Sequence, residues 1–317
     1  MEHEIKKILV GIFLLFLPVS DIHAQSNYTV QLGQHAYTSL LASRQYLLFL
    51  PKTYGQDPYK KWPLIVFLHG SGVPRANVEN IKIEAFPQML EYTPNFPSVV
   101  VSPLLGGAGA EEYWTLDVPA HSVEILLDEI ALHYAIDTNR EYLTGYSLGA
   151  GGTWGLGLRF FTRFAALVPV AGFYGTQSNH NTPANICDLK HTPVWAFHGA
   201  LDTTITIALE QDLVNKLREC GGNVQFTIYP QAGHDISAPA YINNPALYTW
   251  LFAQSRPNTI GSKPGDANGD TMVDGRDYVI WLTHYGQNVL GVTNGDFDTN
   301  SIVDGRDYVI WLNNYGK

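Results

Sequence analysis

The sequence predicts an α/β layered domain with a mostly parallel sheet, followed by a small all-α module. Three observations carry this reading. Short apolar runs alternate with stretches of helical spacing between residues 62 and 229, the pattern of parallel strands joined by crossover helices. One run, residues 141–144, enters a Gly145-Tyr146-Ser147-Leu148-Gly149 corner, and a small-residue helix leaves it. Residues 274–282 then recur letter for letter as residues 304–312.

The chain has 317 residues, 45% of them hydrophobic, which is enough for one large domain and one small one. Its formal charge of −10 and its lack of a basic stripe argue against a nucleic-acid partner. Residues 1–24 read as a signal peptide: Lys6 and Lys7 precede an apolar run at 8–19, and Ala24 offers a small residue for cleavage. That run is shorter than the roughly 20 residues a membrane span needs. The expectation is a secreted, extracellular protein with no membrane segment after cleavage.

Residues 28–50 alternate loosely and predict one or two antiparallel strands opening a sheet. Residues 62–68 form a fully apolar strand that runs into His69-Gly70-Ser71-Gly72. Helical spacing is expected at 81–92, a buried strand at 98–102 and another helix at 122–134. The strand at 141–144 feeds the serine corner. Further strands follow at 165–170, 194–198 and 224–229, with a helix at 207–220 between the last two. About two dozen residues separate the strands at 165–170 and 194–198, too few for a helical cap domain, so an open site is expected. Cys187 and Cys220, the only cysteines, fall at one edge of this sheet away from the serine; export allows a disulfide between them, and two separate thiols are the alternative.

A serine hydroxyl is a weak nucleophile until a base takes its proton, and the base needs a carboxylate to hold its tautomer. Ser147 on a tight strand-to-helix turn is the candidate nucleophile. Asp202 follows the strand at 194–198 and His234 follows the strand at 224–229, so both belong on carboxyl-end loops. The order Ser, Asp, His is that of an α/β-hydrolase. His69 and His198 occupy His-Gly turns and read as loop-shaping residues, and Asp235 is badly placed to orient its own neighbour. An oxyanion needs preorganised N–H donors. The backbone of Leu148 is the first expected, with Ser71 the preferred second and Gly72 after it.

Residues 63–72, 143–154, 164–170, 192–202 and 229–241 resemble secreted serine esterases of the predicted-peptidase and phospholipase/carboxylesterase group. These are kin to feruloyl esterases and polyhydroxybutyrate depolymerases of the α/β-hydrolase superfamily. The resemblance covers roughly residues 30–255. It implies the same triad, Ser147, Asp202 and His234, and a substrate pocket lined by Trp114.

Residues 255–264 lack periodicity and read as a linker, which leaves 25–254 to the hydrolase and 265–317 to the small module. Asp266, Asn268, Asp270, Asp274 and Asp277 put oxygen side chains at positions 1, 3, 5, 9 and 12 of a loop. Asp296, Asp298, Asn300, Asp304 and Asp307 repeat the pattern, and the carbonyls of Met272 and Ile302 fall at position 7. This is EF-hand spacing and predicts two structural calcium ions, with none needed for catalysis. The pair resembles a type I dockerin, a calcium module that plugs enzymes into cohesin-bearing scaffolds, with an amphipathic helix after each loop at 278–285 and 308–315. It departs from that pattern at Thr271 and Ser301, where glycine is usual, and at Gly275-Arg276 and Gly305-Arg306, where a pair of small hydroxyl residues is usual.

The sequence thus predicts an exported serine carboxylic-ester hydrolase on a dockerin-like tether, acting on feruloyl or acetyl esters of plant cell-wall polysaccharide. The alternative within enzymes is a polyester depolymerase or general short-chain esterase. The alternative from another class is a scaffold-docked binding protein with an inactive hydrolase domain.

Overall fold

The computed structural model describes residues 30–106, 112–175, 182–256, 263–269, 272–289, 292–298, 300 and 302–316. The expected signal peptide lies outside the described residues, as do Asp270, Thr271, Ser301 and most of the linker. Among the described residues no helix is long and apolar enough to cross a membrane.

Strands β1 (Gly33–Ser39) and β2 (Arg44–Leu50) form an antiparallel hairpin. Next come β3 (Trp62–Leu68), α1 (Ala85–Tyr92) and β4 (Val99–Pro103), then α2 (Asp117–His133), β5 (Ile136–Tyr146) and α3 (Leu148–Arg159). The second half adds β6 (Ala166–Val170), β7 (Val194–Gly199), α4 (Ile207–Glu219), β8 (Val224–Tyr229), α5 (Ser237–Tyr241) and α6 (Pro245–Phe252). Together the strands make one eight-stranded sheet in the order β1-β2-β4-β3-β5-β6-β7-β8. β2 meets β4 antiparallel and every later pairing is parallel. This is the architecture of an α/β hydrolase, with the carboxyl ends of β3, β5, β7 and β8 opening on one rim.

The apolar runs are continuous because both faces of the central strands are covered. Along β3, Leu64, Val66 and Leu68 pack with α2, α3 and α4, whereas Ile65 and Phe67 pack with α1, α5 and α6. Each such side chain removed from water contributes about 1.5–3 kcal/mol.

Several boundaries differ from the sequence expectation. The helix expected at 81–92 is broken at Glu84, whose backbone is extended, so that a short 3-10 turn at Val78–Ile83 precedes α1. The break turns the Glu84 carboxylate inward to the Gly70 amide. Helix α2 starts five residues earlier than spacing suggested, because Pro119 is tolerated in its first turn. Gln254 and Arg256 bond to β5, through the Tyr142 hydroxyl and the Asn139 carbonyl.

Cys187 and Cys220 are joined in a disulfide with a Cα–Cα distance of 5.4 Å. It ties the turn before β7 to the end of α4, at the rim opposite the serine. Closing a loop of 33 residues of sequence separation restricts the unfolded chain by about 4 kcal/mol.

The C-terminal module is a duplicated helix-and-loop unit, α7 (Gly275–His284) and α8 (Gly305–Asn314). Both helices begin three residues before the expected start, because Asp274 with Asp277, and Asp304 with Asp307, form capping boxes. The two halves interlock reciprocally. The Trp281 indole donates to the Asp304 carbonyl at 3.0 Å, and the Trp311 indole donates to the Asp274 carbonyl at 2.8 Å. Val273 and Val303 are buried beside the two tryptophans.

Candidate active site

Ser147 sits between β5 and α3 with φ 56° and ψ −116°. Such left-handed backbone costs a non-glycine residue about 1–3 kcal/mol and persists only when its surroundings enforce it. They do so here. The Ser147 amide donates to the Val170 carbonyl at 2.9 Å, and the Gly151 amide returns to the Ser147 carbonyl at 3.0 Å. A Cβ on Gly149 would lie 1.8 Å from the Leu68 carbonyl oxygen, and one on Gly145 would lie 2.3 Å from the Gly149 carbonyl oxygen. Only glycine allows β3, β5 and α3 to approach this closely.

His234, on the loop after β8, places Nε2 2.9 Å from the Ser147 hydroxyl oxygen. Its Nδ1 lies 2.7 Å from Asp202 Oδ2. The other carboxylate oxygen of Asp202 accepts from the amides of Thr204 at 2.8 Å and Ile205 at 2.9 Å, which fixes the plane of the group. The His234 backbone is held by the Tyr146 hydroxyl, which donates to its carbonyl at 3.2 Å. The three residues expected from three separate strand exits therefore meet in one hydrogen-bonded line. Asp235 accepts instead from the Ser237 hydroxyl.

Beside Ser147 opens a cavity of about 530 Å³. Ser71 and Leu148, two of the three residues expected at the oxyanion site, line it together with Ser147. The Leu148 amide opens α3, where the first N–H groups have no acceptor within the helix and the dipole favours negative charge. Gly72 is not among the lining residues.

The loop carrying Ser71 is braced from below. Gly70 donates its amide to Glu84 Oε1 at 3.1 Å. Burial pushes the Glu84 carboxyl up to about 7, partly offset by that Gly70 bond. His69 is fully buried: its Nε2 accepts from the Leu105 amide at 3.0 Å, so the ring is neutral with its proton on Nδ1, facing the Gly70 carbonyl at 2.8 Å. Burial holds it down at about 4.

Trp114 does not line the cavity, contrary to expectation. It is fully buried, donates its indole N–H to the His69 carbonyl at 3.1 Å and packs edge-on against the His69 ring. Its neighbours Tyr113 and Glu112 reach the cavity, with Arg75 beside them. Phe173, Ile205 and Leu209 supply the apolar wall. None of these six was singled out by sequence. They sit on loops without periodicity, except Leu209, which lies in the first turn of α4.

In the second acidic loop of the C-terminal repeat, the carboxylates of Asp296, Asp298 and Asp307 can each offer an oxygen within 4.8 Å of the others. Asp307 Oδ1 accepts from the amides of Phe297 and Asp298, and Asp277 Oδ1 does the same for Ala267 and Asn268. Asp266, Asp277, Asp296 and Asp307 are buried. Converging hard oxygen donors of this kind fit calcium. Met272 and Ile302 hold equivalent positions in the two halves, and Asn300 lies in the second loop, bonded to Asp296 and Asp298.

The phospholipase/carboxylesterase family model matches residues 118–240, a stretch that holds Ser147, Asp202 and His234. No curated protein matches the sequence. Among solved structures, a thermostable esterase is 27% identical with a TM-score of 0.59, covering 70% of this chain and 62% of that one. This chain thus spans less than two thirds of that esterase's length. A ferulic acid esterase from Anaeromyces mucronatus is 20% identical with a TM-score of 0.52, over 70% of this chain and 92% of that one. An S-formylglutathione hydrolase from Agrobacterium tumefaciens is 15% identical with a TM-score of 0.52, over 72% and 98% respectively.

Proposed function

We propose that this chain, an esterase-like α/β hydrolase, is an exported serine carboxylic-ester hydrolase that cleaves feruloyl or acetyl esters of plant cell-wall polysaccharide. The single observation that carries the ester hydrolysis is the Ser147–His234–Asp202 line at the edge of the cavity, with contacts of 2.9 and 2.7 Å. The cavity has the volume of a small-molecule site, large enough for an aromatic acyl group, and Phe173, Tyr113, Ile205 and Leu209 give it an apolar wall. A feruloyl group is therefore favoured over a bare acetyl. The likeness to the Anaeromyces mucronatus ferulic acid esterase agrees with that choice.

The Ser147 hydroxyl attacks the ester carbonyl while His234 Nε2 takes its proton, and Asp202 stabilises the resulting imidazolium through Nδ1–H. The tetrahedral oxyanion sits against the amides of Leu148 and Ser71. Collapse transfers the Nε2 proton to the leaving alcohol oxygen and leaves an acyl-Ser147. A water, deprotonated by His234, then releases the acid and restores the serine hydroxyl.

The C-terminal module is a calcium-stapled tether in this reading, with Asp266, Asn268, Asp270, Asp274 and Asp277 holding one ion and Asp296, Asp298, Asn300, Asp304 and Asp307 the other. Its partner would be a cohesin-bearing scaffold. Calcium would neutralise the clustered carboxylates and stabilise the loops.

Hydrolysis of p-nitrophenyl acetate and methyl ferulate by the wild-type chain and Ser147→Ala tests the reading. The substitution is expected to reduce kcat by at least about 10³-fold. A wild-type chain inactive on both esters would replace it with the binding-protein alternative, and a preference for long-chain triglyceride would overturn the polysaccharide ester.

A further inference from the structure

Behind the triad aspartate lies a second buried pair. His198, the last-but-one residue of β7, directs Nδ1 to Glu210 Oε2 at 2.5 Å. Its Nε2 faces the Ile205 carbonyl oxygen at 2.9 Å and Asp202 Oδ2 at 3.3 Å. Both side chains are inaccessible to solvent. Every neighbour of the two ring nitrogens is an oxygen acceptor, so each nitrogen satisfies its contacts only by carrying a hydrogen. Glu210 in turn receives three donors: the Trp154 indole at 3.0 Å, the Gly172 amide at 3.0 Å and His198. Three donors on two oxygens describe a carboxylate, not a carboxylic acid.

We infer that His198 and Glu210 are a positioning pair: a buried imidazolium, anchored by the Glu210 carboxylate, that braces Asp202 from behind and holds its Oδ2 toward His234. The inference rests on the hydrolytic reading of Ser147, His234 and Asp202. Three donors then converge on Asp202, two backbone amides on Oδ1 and the His234 imidazole on Oδ2, while the His198 ring adds its charge 3.3 Å from that same Oδ2. The arrangement is an alternating line of charge, Glu210 negative, His198 positive, Asp202 negative, ending at His234. Burial on its own would push the His198 imidazole down. The Glu210 hydrogen bond and charge, with Ile205 and Asp202, reverse this and leave it above the usual histidine value.

The groups facing this line are few. Glu210 comes from α4, Asp202 from the loop after β7 and His234 from the loop after β8. Tyr146 on β5 and Tyr241 on α5 add phenols that burial keeps neutral, and the carboxyl groups of Glu84 and Asp235 lie in electrostatic range of those phenols. His198 is thus the one cation of the set when His234 is neutral. It moderates the field of Asp202 at His234, so its removal leaves the Asp202 charge uncompensated beside the base. Glu210 also ties three elements together, because its oxygens hold α3 through Trp154, the exit of β6 through Gly172 and the exit of β7 through His198.

The experiment has a spectroscopic and a kinetic arm. Ring ¹⁵N and low-field ¹H NMR of the full wild-type chain reads the charge of His198 with no substrate present. Protons on both nitrogens, persisting above the usual histidine range, are expected; a single ring N–H overturns the proposal. This arm is independent of turnover, so a chain without ester hydrolysis would sink the hydrolytic reading and leave the His198 result standing. In the kinetic arm, His198→Gln removes the cation and keeps a donor. Its kcat should fall about 10-fold with KM within about twofold, and the acid limb of kcat/KM should move up by about one pH unit. A purely structural role would lower the active fraction without moving the limb, and an unmoved limb overturns the proposal. If His198→Gln fails to fold, Glu210→Gln keeps the shape of the side chain. It should convert His198 to a single ring N–H and move the limb in the same direction; retention of both ring protons in that variant overturns the pair.

Discussion

Two turns of the sheet have the same two letters and opposite electrostatics. His69-Gly70 ends β3 beneath the oxyanion loop, and His198-Gly199 ends β7 behind the triad aspartate. His69 accepts one hydrogen bond from a backbone amide and is held neutral by burial. His198 is as inaccessible, yet a carboxylate on each side makes it a cation. What differs is the partners, Leu105 and Gly70 for one, Glu210 and Asp202 for the other. Burial therefore does not fix the charge of a histidine; the hydrogen-bond inventory around it does.

The glycines of the two turns offer the largest contrast. A Cβ on Gly199 would lie 2.0 Å from the Gly233 carbonyl oxygen and 2.6 Å from that of Ala232, on the segment that delivers His234. Neither backbone group can give way without moving the base. Gly199→Ala should therefore reduce kcat by about 10²-fold or more, the scale of a misplacement near 1 Å. A Cβ on Gly70 would meet Glu84 Oε1 at 3.1 Å and the Tyr146 carbonyl oxygen at 3.3 Å. A shift of a few tenths of an ångström relieves that, so Gly70→Ala should lose less than about tenfold. Steady-state kinetics on one ester compares them, and equal losses would show that the β7 turn is no more constrained than the β3 turn.

The same contrast explains what was legible in the sequence. Ser147, Asp202 and His234 each follow a strand, and strand exits on one rim of a parallel sheet must face one another. The helix pair of the C-terminal module could be read from its repeat, whereas the disulfide stayed open against two separate thiols, because the distance between Cys187 and Cys220 is a tertiary fact. Trp114 was misplaced because a tryptophan after a strand exit fits a pocket wall or a core equally well; its indole bond to the His69 carbonyl is a tertiary fact. Glu84 was hidden within an apparent helix. Glu210 did leave a signal. It shares the buried stripe of α4 with Leu213, Val214 and Leu217, where a lone acid needs a partner. The charge of His198 was out of reach, since it depends on a residue twelve positions away that only the fold brings to Nδ1.

Glu84 brings a smaller effect on the β3 side. Its carboxyl holds the Gly70 amide whether protonated or not, so Glu84→Gln should keep kcat within about threefold. Glu84→Ala frees the loop that carries Ser71 and should lower kcat about tenfold with little change in KM, as loss of a supporting hydrogen bond does. Equal rates for the two variants would mean the bond does not set the oxyanion geometry.

The finest test uses the pH dependence of stability. His69 is lowered from 6.5 to about 4 on folding. The unfolded chain therefore binds a proton there that the folded chain refuses, so the stability His69 contributes is present above pH 6.5 and lost as pH falls toward 4, by up to about 3 kcal/mol. His198 is raised, so its contribution is complete below the unfolded value and is lost as pH climbs through the higher folded one. Glu84, raised to about 7, also loses stability as pH rises from its usual carboxyl value. Comparing each variant with the wild type at matched pH cancels that common term. Urea midpoints should thus show His69→Gln flattening the acid side of the profile and His198→Gln the alkaline side. If both variants flatten the same side, the two histidines share one charge state and the contrast between the turns fails.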